Sequence, residues 1–183
     1  MVMEHLKPTG LCESDAPEIR ALAKKITGNK KGRAAAAALF SWVQNKIAYR
    51  IVPMVGARGV IRRKPMKGMC FDKTNLFIAL CRASGIPARY LILSCDLKTK
   101  TKKLPKKAMH AVAEVLLGGK WTVADPAFGR SVAKLLVVPR LGQKTWTKVY
   151  SEKRADSLGP ILPIMINLFV LVDAKPLKQQ IGT

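Results

Sequence analysis

Residues 68–90 read GMCFDKTNLFIALCRASGIPARY. A glycine-led entry, Gly68-Met69, is followed by a cysteine, an apolar run and the stop Gly85-Ile86-Pro87. Glycine just past an apolar run, with proline close behind, ends a helix. The pattern therefore predicts a helix from Cys70 to about Ser84. A cysteine in the first turn of a helix faces unpaired backbone N–H groups and the positive end of the macrodipole, and both favour a thiolate. A thiol nucleophile needs that setting, and Gly68 would let the backbone approach a substrate closely. Cys81, deep in the same helix, and Cys95, in an apolar strand, lack it and read as core. Cys12 carries no signal.

Two helices are expected upstream. Ser14 or Asp15 can cap the first, with Pro17 in its first turn, Gly28 past its end, and Ile19, Leu22, Ala23 and Ile26 on one face. The second runs from about Gly32 to Ile47, with Leu39, Trp42, Val43 and Ile47 as its apolar stripe. Tyr49 to Val55 reads as extended and residues 56–69 as a surface loop. Downstream, Tyr90 to Cys95 is a buried strand, and Lys98 to Lys107, with six lysines, is an exposed loop. His110-Ala-Val-Ala-Glu-Val-Leu-Leu and Lys120-Trp-Thr-Val-Ala flank Gly118-Gly119, a strong hairpin signal. Val132 to Val138 is a further strand candidate. Helices first and antiparallel strands after them make an α+β fold, with N-terminal helices packed on a mostly antiparallel sheet.

The hairpin matters chemically. Thiol chemistry needs a base to hold and return a proton, and the chain has only His5 and His110. His5 lies in an N-terminal tail, whereas His110 opens a strand at the mouth end of the sheet. Asp125 ends the neighbouring strand at Asp125-Pro126, so the hairpin sets the two residues side by side. A carboxylate there can orient an imidazole. Each of the three residues has an ordinary structural reading when taken alone; together they make a Cys-His-Asp set.

Order, spacing and flanking residues of Gly68-Met69-Cys70, Arg82-Ala-Ser-Gly-Ile-Pro-Ala-Arg89, His110-Ala-Val and Trp121-Thr-Val-Ala-Asp125-Pro126 resemble the transglutaminase-like superfamily, over about residues 40–128. The resemblance implies a papain-like fold, with Cys70 as nucleophile, His110 as general base and acid, and Asp125 as the orienting carboxylate. The front, HLKPTGLCESDAPEIRALAKKIT and LFSWVQNKIAY, is similar to the methanogen pseudomurein endoisopeptidases, archaeal cysteine peptidases of that superfamily. Their wall-binding repeats are absent here, and the C-terminal part matches neither pattern. The implied activity is cysteine peptidase, isopeptidase or amidase, with a peptide or isopeptide substrate from cell wall or protein. A cross-linking transglutaminase and a non-catalytic basic binding module on the same fold stay open. For the oxyanion, the Cys70 N–H is a natural donor, and Gln44 is the best side-chain candidate by chemistry, although a solvated helix residue is the plainer reading of it. Trp42 and Trp121 read as core or groove wall, and Arg89 as a structural anchor near the site.

Composition sets further bounds. At 183 residues the chain fits one domain, 1–183. No Cys-x-x-Cys pair is present, so neither a metal nor another cofactor is expected. No signal-peptide core opens the chain, and free thiols in a reducing cytoplasm are expected. Leu158–Val172 is apolar except for Asn167, but Pro160 and Pro163 leave it short of the ~20 residues a spanning helix needs. A core strand or a homo-oligomer contact is expected there.

Thirty-three Lys and Arg against 11 Asp and Glu give a formal charge of +22. The lysine-rich stretch 98–107 has no interleaved aromatics, so polyanion binding should be electrostatic and without sequence preference. Heparin and single-stranded DNA of any sequence should bind at low salt and be released steeply as salt rises. Tight binding of one sequence at high salt, read by fluorescence anisotropy, would contradict this.

Overall fold

The computed structural model describes residues 2–101 and 107–158. A 3-10 turn at Val2–Leu6 precedes helices α1 (Pro17–Thr27) and α2 (Gly32–Lys46). Strand β1 (Ala48–Tyr49), helix α3 (Ala57–Arg62), strand β2 (Lys67–Gly68) and helix α4 (Cys70–Ala83) follow. The rest of the described chain is β3 (Ala88–Leu97), β4 (Lys107–Leu117), β5 (Lys120–Ala124), a 3-10 turn at Arg130–Val132 and β6 (Trp146–Ala155).

β1 and β2 form a short parallel pair. The main sheet is antiparallel, in the order β5-β4-β3-β6. Gly118 and Gly119 have φ of 59° and 77°, the left-handed pair that a tight hairpin between β4 and β5 demands. The α+β expectation is met.

Helix α4 is the centre of the molecule. It lies against β3 and β4, while α1, α2 and α3 pack on it from other sides. Every residue from Cys70 to Arg82 is buried, so the helix shows no polar face. Its polar side chains are satisfied internally, as burial requires. Thr74 Oγ1 donates to the Ala111 carbonyl at 3.0 Å, Asn75 donates to the Val55 carbonyl at 2.9 Å, and Tyr90 O–H donates to Asn75 at 3.0 Å. The Arg82 guanidinium spans the Ala88, Lys7 and Asp156 carbonyls at 2.6–3.0 Å.

Several local expectations are corrected. Ala16, not Ser14 or Asp15, is the N-cap of α1, and no side chain caps it. Between α2 and α3, strand pairing is confined to Ala48–Tyr49. Residues 56–69 hold α3 and β2 rather than only loop, because Ala57 and Val60 turn into the core. Val132–Val138 is not a strand; Leu136 makes one isolated bridge to Thr99. β6 was unmarked in sequence because it is an edge strand exposed on both faces and rich in charge, so it has no apolar alternation. His5 is not in a free tail: its Nδ1 meets Asp156 at 2.5 Å, and its ring packs edge-on against Trp121.

Residues 102–106 of the lysine-rich loop and all of Leu158–Val172 except Leu158, which is buried, lie outside the described residues. Among the described residues no helix is long and apolar enough to cross a membrane.

Candidate active site

The site is assembled where β5 ends. Pairing of β4 with β5 stops at Ala113–Ala124, so the next residue, Asp125, turns away just beyond the hairpin. His110 is the fourth residue of β4 rather than its first, opposite Leu93 on β3 and past the last β5 partner. Its Nε2–H donates to Asp125 Oδ2 at 2.7 Å, and both groups are essentially inaccessible, at 1% and 0% exposure. The Phe128 ring lies flat on the imidazole, with centroids 4.9 Å apart and planes 4° apart. Ala127 N–H closes on Asp125 Oδ1 at 3.1 Å.

Cys70 is the first residue of α4, and its side chain is within hydrogen-bond reach of His110 and of the Tyr49 phenol. With Nε2 engaged by Asp125, Nδ1 is the imidazole nitrogen left for sulfur. The three sequence-predicted residues are therefore brought together. Burial alone would lower the His110 pKa, but the Asp125 carboxylate and the Cys70 side chain outweigh it and push it up to about 10. Burial first, then Cys70 and Asp125, hold the Tyr49 phenol well above its ordinary value, so it stays an O–H donor.

The entry to α4 is fixed by Asp72. Its carboxylate accepts from Met69 N–H at 3.0 Å and Val55 N–H at 2.8 Å, with Arg63 at 3.7 Å. A Cβ on Gly68 would meet Asp72 Cβ at 2.5 Å. Gly68 thus makes room for the capping carboxylate, a different role from the substrate approach expected of it.

Gln44 is corrected on both readings. It is buried, and both of its amide protons are spent, on the Phe128 carbonyl at 3.0 Å and the Pro139 carbonyl at 2.8 Å. It is neither solvated nor free to serve an oxyanion, and instead fixes the backbone that carries Phe128. The fit needs Gly129, where a Cβ would lie 2.1 Å from the Gln44 carbonyl oxygen. Arg89 is a structural anchor, pairing with Glu114 at 2.8 Å and covering the Trp121 ring at 4.0 Å. All four cysteines are buried free thiols, Cys70 at 4% exposure and the other three at 0%. Burial raises Cys12 and Cys95 to about 12 and Cys81 well above the ordinary value.

Sequence reasoning missed Tyr49, Lys73, Phe128 and Thr145. Tyr49 is delivered by the β1–β2 pair, whose register sets it beside Gly68, two residues before Cys70. Lys73 is one turn after Cys70, its ammonium buried on the Ile47 carbonyl at 2.7 Å and the Gln44 carbonyl at 3.3 Å. Burial lowers its pKa to about 7 against the opposing pull of Asp125. Among the described residues no group of three or more His, Cys, Asp or Glu is placed to hold a metal ion.

With this geometry in hand, comparison with known families is decisive. The model of the transglutaminase-like superfamily matches residues 20–126, more than half of the chain. The chain belongs to the transglutaminase-like superfamily. Among solved structures, a candidate cysteine protease from Cytophaga hutchinsonii is 23% identical, with a TM-score of 0.57, over 84% of this chain and 54% of that one. That likeness shows a shared fold, and this chain spans about half the length of that relative. The periplasmic domain of TgpA from Pseudomonas aeruginosa, bound to ethylmercury, is 22% identical with a TM-score of 0.48, over 67% of this chain and 46% of that one. No curated protein matches the chain.

His110 and Lys73 affect stability with opposite signs. His110 holds its proton to about pH 10 when folded but only to about 6.5 when unfolded, so its contribution is lost as pH rises between those values. Lys73 is deprotonated above about 7 when folded but only above about 10.5 when unfolded, so stability increases over its window. Between about pH 7 and about pH 8.5, below the midpoint where unfolded-state cysteines titrate, the two slopes oppose each other. Urea denaturation of Lys73→Met should show stability falling with pH across this range, and His110→Gln should show it rising. Parallel curves for the two variants would refute the assignment.

Proposed function

We propose that the protein is a thiol-dependent acyl-transfer enzyme that hydrolyses a peptide, isopeptide or carboxamide bond through Cys70, His110 and Asp125. The observation that carries the reading is the placing of Cys70, at the head of a helix, beside an imidazole whose far nitrogen is held by a buried carboxylate. A nucleophile, a base and a group that orients the base are the parts this chemistry requires.

In the proposed cycle, the Cys70 thiol gives its proton to His110 Nδ1, the sulfur attacks the substrate carbonyl carbon and the C=O electron pair moves to oxygen. The Cys70 N–H, at the positive end of α4, and the Tyr49 O–H are suited to receive that developing charge. As the tetrahedral centre collapses, the C–N bond breaks and His110 delivers its proton to the departing amine. Water, deprotonated by His110, then attacks the thioester and releases the acid and the thiol. An amine in place of water would leave a new amide, the transglutaminase outcome with the same machinery.

The resemblance of residues 5–27 and 39–49 to pseudomurein endoisopeptidases favours an isopeptide link as the substrate bond. The competing reading, a basic binding module, has the +22 charge in its favour. It gives no reason for a buried imidazole–carboxylate pair, which costs desolvation unless it is used.

Iodoacetamide followed by peptide mapping separates the two. In the folded protein at slightly acidic pH, Cys70 should be alkylated at least tenfold faster than Cys12, Cys81 or Cys95, on the order expected for a thiol paired with an imidazole at a helix N-terminus against thiols with no such partner. His110→Ala should remove most of that advantage, and Cys70→Ala should abolish cleavage of amide- and isopeptide-linked peptides while leaving the fold intact. Equal labelling of all four cysteines would refute the enzyme reading. Once a substrate is found, Tyr49→Phe should lower kcat by roughly tenfold to a hundredfold with little change in KM, the scale of one lost oxyanion donor.

A further inference from the structure

Asp125 receives one hydrogen bond that the proposed triad does not use. Its Oδ2, which accepts the His110 Nε2–H, also accepts the hydroxyl proton of Thr145. Thr145 stands just before β6, at 1% exposure, and its carbonyl accepts the Lys98 N–H at 2.7 Å. The loop leading to it is tied to the hairpin by the Gly142 N–H on the Val123 carbonyl at 2.8 Å. Two segments far apart in sequence thus converge on one carboxylate. Asp125 is wholly buried, and its anchors other than His110 are Thr145 on Oδ2 and the Ala127 amide on Oδ1.

A carboxylate held at one oxygen alone can rotate about its Cβ–Cγ bond; held at both, it presents a fixed lone pair to the imidazole. Charge-assisted bonds of this kind are the strong ones, and second contacts of this type set which imidazole nitrogen carries the proton. We infer that Thr145 is a positioning residue that locks the Asp125 carboxylate and, through it, the orientation of His110 toward Cys70. This rests on the reading of Cys70 and His110 given above. Thr145 acts through Asp125 rather than on substrate, and it extends the chain of contacts to Cys70–His110–Asp125–Thr145. The charged and titratable groups facing this chain are Cys70 and Tyr49 at the imidazole, with Lys73 and Cys95 in reach of the Asp125 charge.

The test compares Thr145→Val and Thr145→Ser in the full-length protein. Valine keeps the shape of threonine but sets a methyl where the hydroxyl touches the carboxylate, and serine restores the donor. His5 and His110 are the only histidines, so the imidazole signals are simple to assign by 15N NMR. In Thr145→Val the His110 Nε2–H resonance should move upfield and exchange faster, and alkylation of Cys70 by iodoacetamide at neutral pH should slow by about tenfold, roughly what one hydrogen bond is worth. Thr145→Ser should restore both. Cys12, Cys81 and Cys95 serve as internal controls, because general loosening speeds their labelling whereas lost positioning slows Cys70 alone. An unchanged or downfield-shifted resonance in Thr145→Val, or a loss that serine fails to repair, overturns the inference. His110→Gln keeps the two ideas apart: if it leaves Cys70 labelling unchanged, the nucleophile reading fails, and the resonance alone still reports whether Thr145 holds the carboxylate.

Discussion

Burying a fourteen-residue helix on every side leaves its polar side chains no access to water, and α4 carries five of them between Asp72 and Arg82. Each must find a partner inside the protein or cost about 1–3 kcal/mol as an unsatisfied group. The partners they take hold the molecule together. Asp72 draws in the segment before the helix, Lys73 the end of α2, Thr74 the middle of β4, Asn75 the Val55 backbone and Tyr90, and Arg82 both the start of β3 and the N-terminal segment. The helix that presents Cys70 is therefore also the internal reference for the surrounding chain. The bond from Thr74 to Ala111, the residue after His110, ties the helix that presents Cys70 to the strand that presents His110.

Around this axis the site is built by backbone contacts as much as by side chains. Gln44 reaches across to the Phe128 and Pro139 carbonyls, Phe128 covers the imidazole, and Gly129 admits the close approach that makes this possible. Lys73 binds the carbonyls at the end of the helix from which Gln44 projects, just ahead of Tyr49. One buried amine thus helps to fix the covering on His110 and the phenol beside Cys70. Removing its donors while keeping its shape would disturb the site from within, without altering any group that meets a substrate.

What the sequence revealed and what it hid divide along a physical line. The bounds of α4, the hairpin at Gly118-Gly119 and the proximity of His110 to Asp125 were legible because each is encoded locally. A glycine and proline stop, two residues suited to positive φ and the geometry of adjacent strands are all short-range matters. Tyr49, Gln44 and Thr145 were not legible, since their roles arise from contacts with chain 20 to 95 residues away. Gln44 shows the difficulty plainly, because on a helix its type and spacing suit a solvated position equally well. β6 was missed for the opposite reason, since backbone pairing to β3 holds a strand whose side chains make almost no core.

That outermost strand also limits how the sheet can grow. β6 leaves one row of backbone N–H and C=O groups without a strand partner among the described elements, the geometry on which a second molecule could template. Lys148, Lys153 and Arg154 project from it, with Glu152 as the one carboxylate among them. A second copy laid along this edge would bring like charges together on a molecule that already carries a large positive excess. The fibrous stacking open to flat, uncharged strands is thereby disfavoured along this edge.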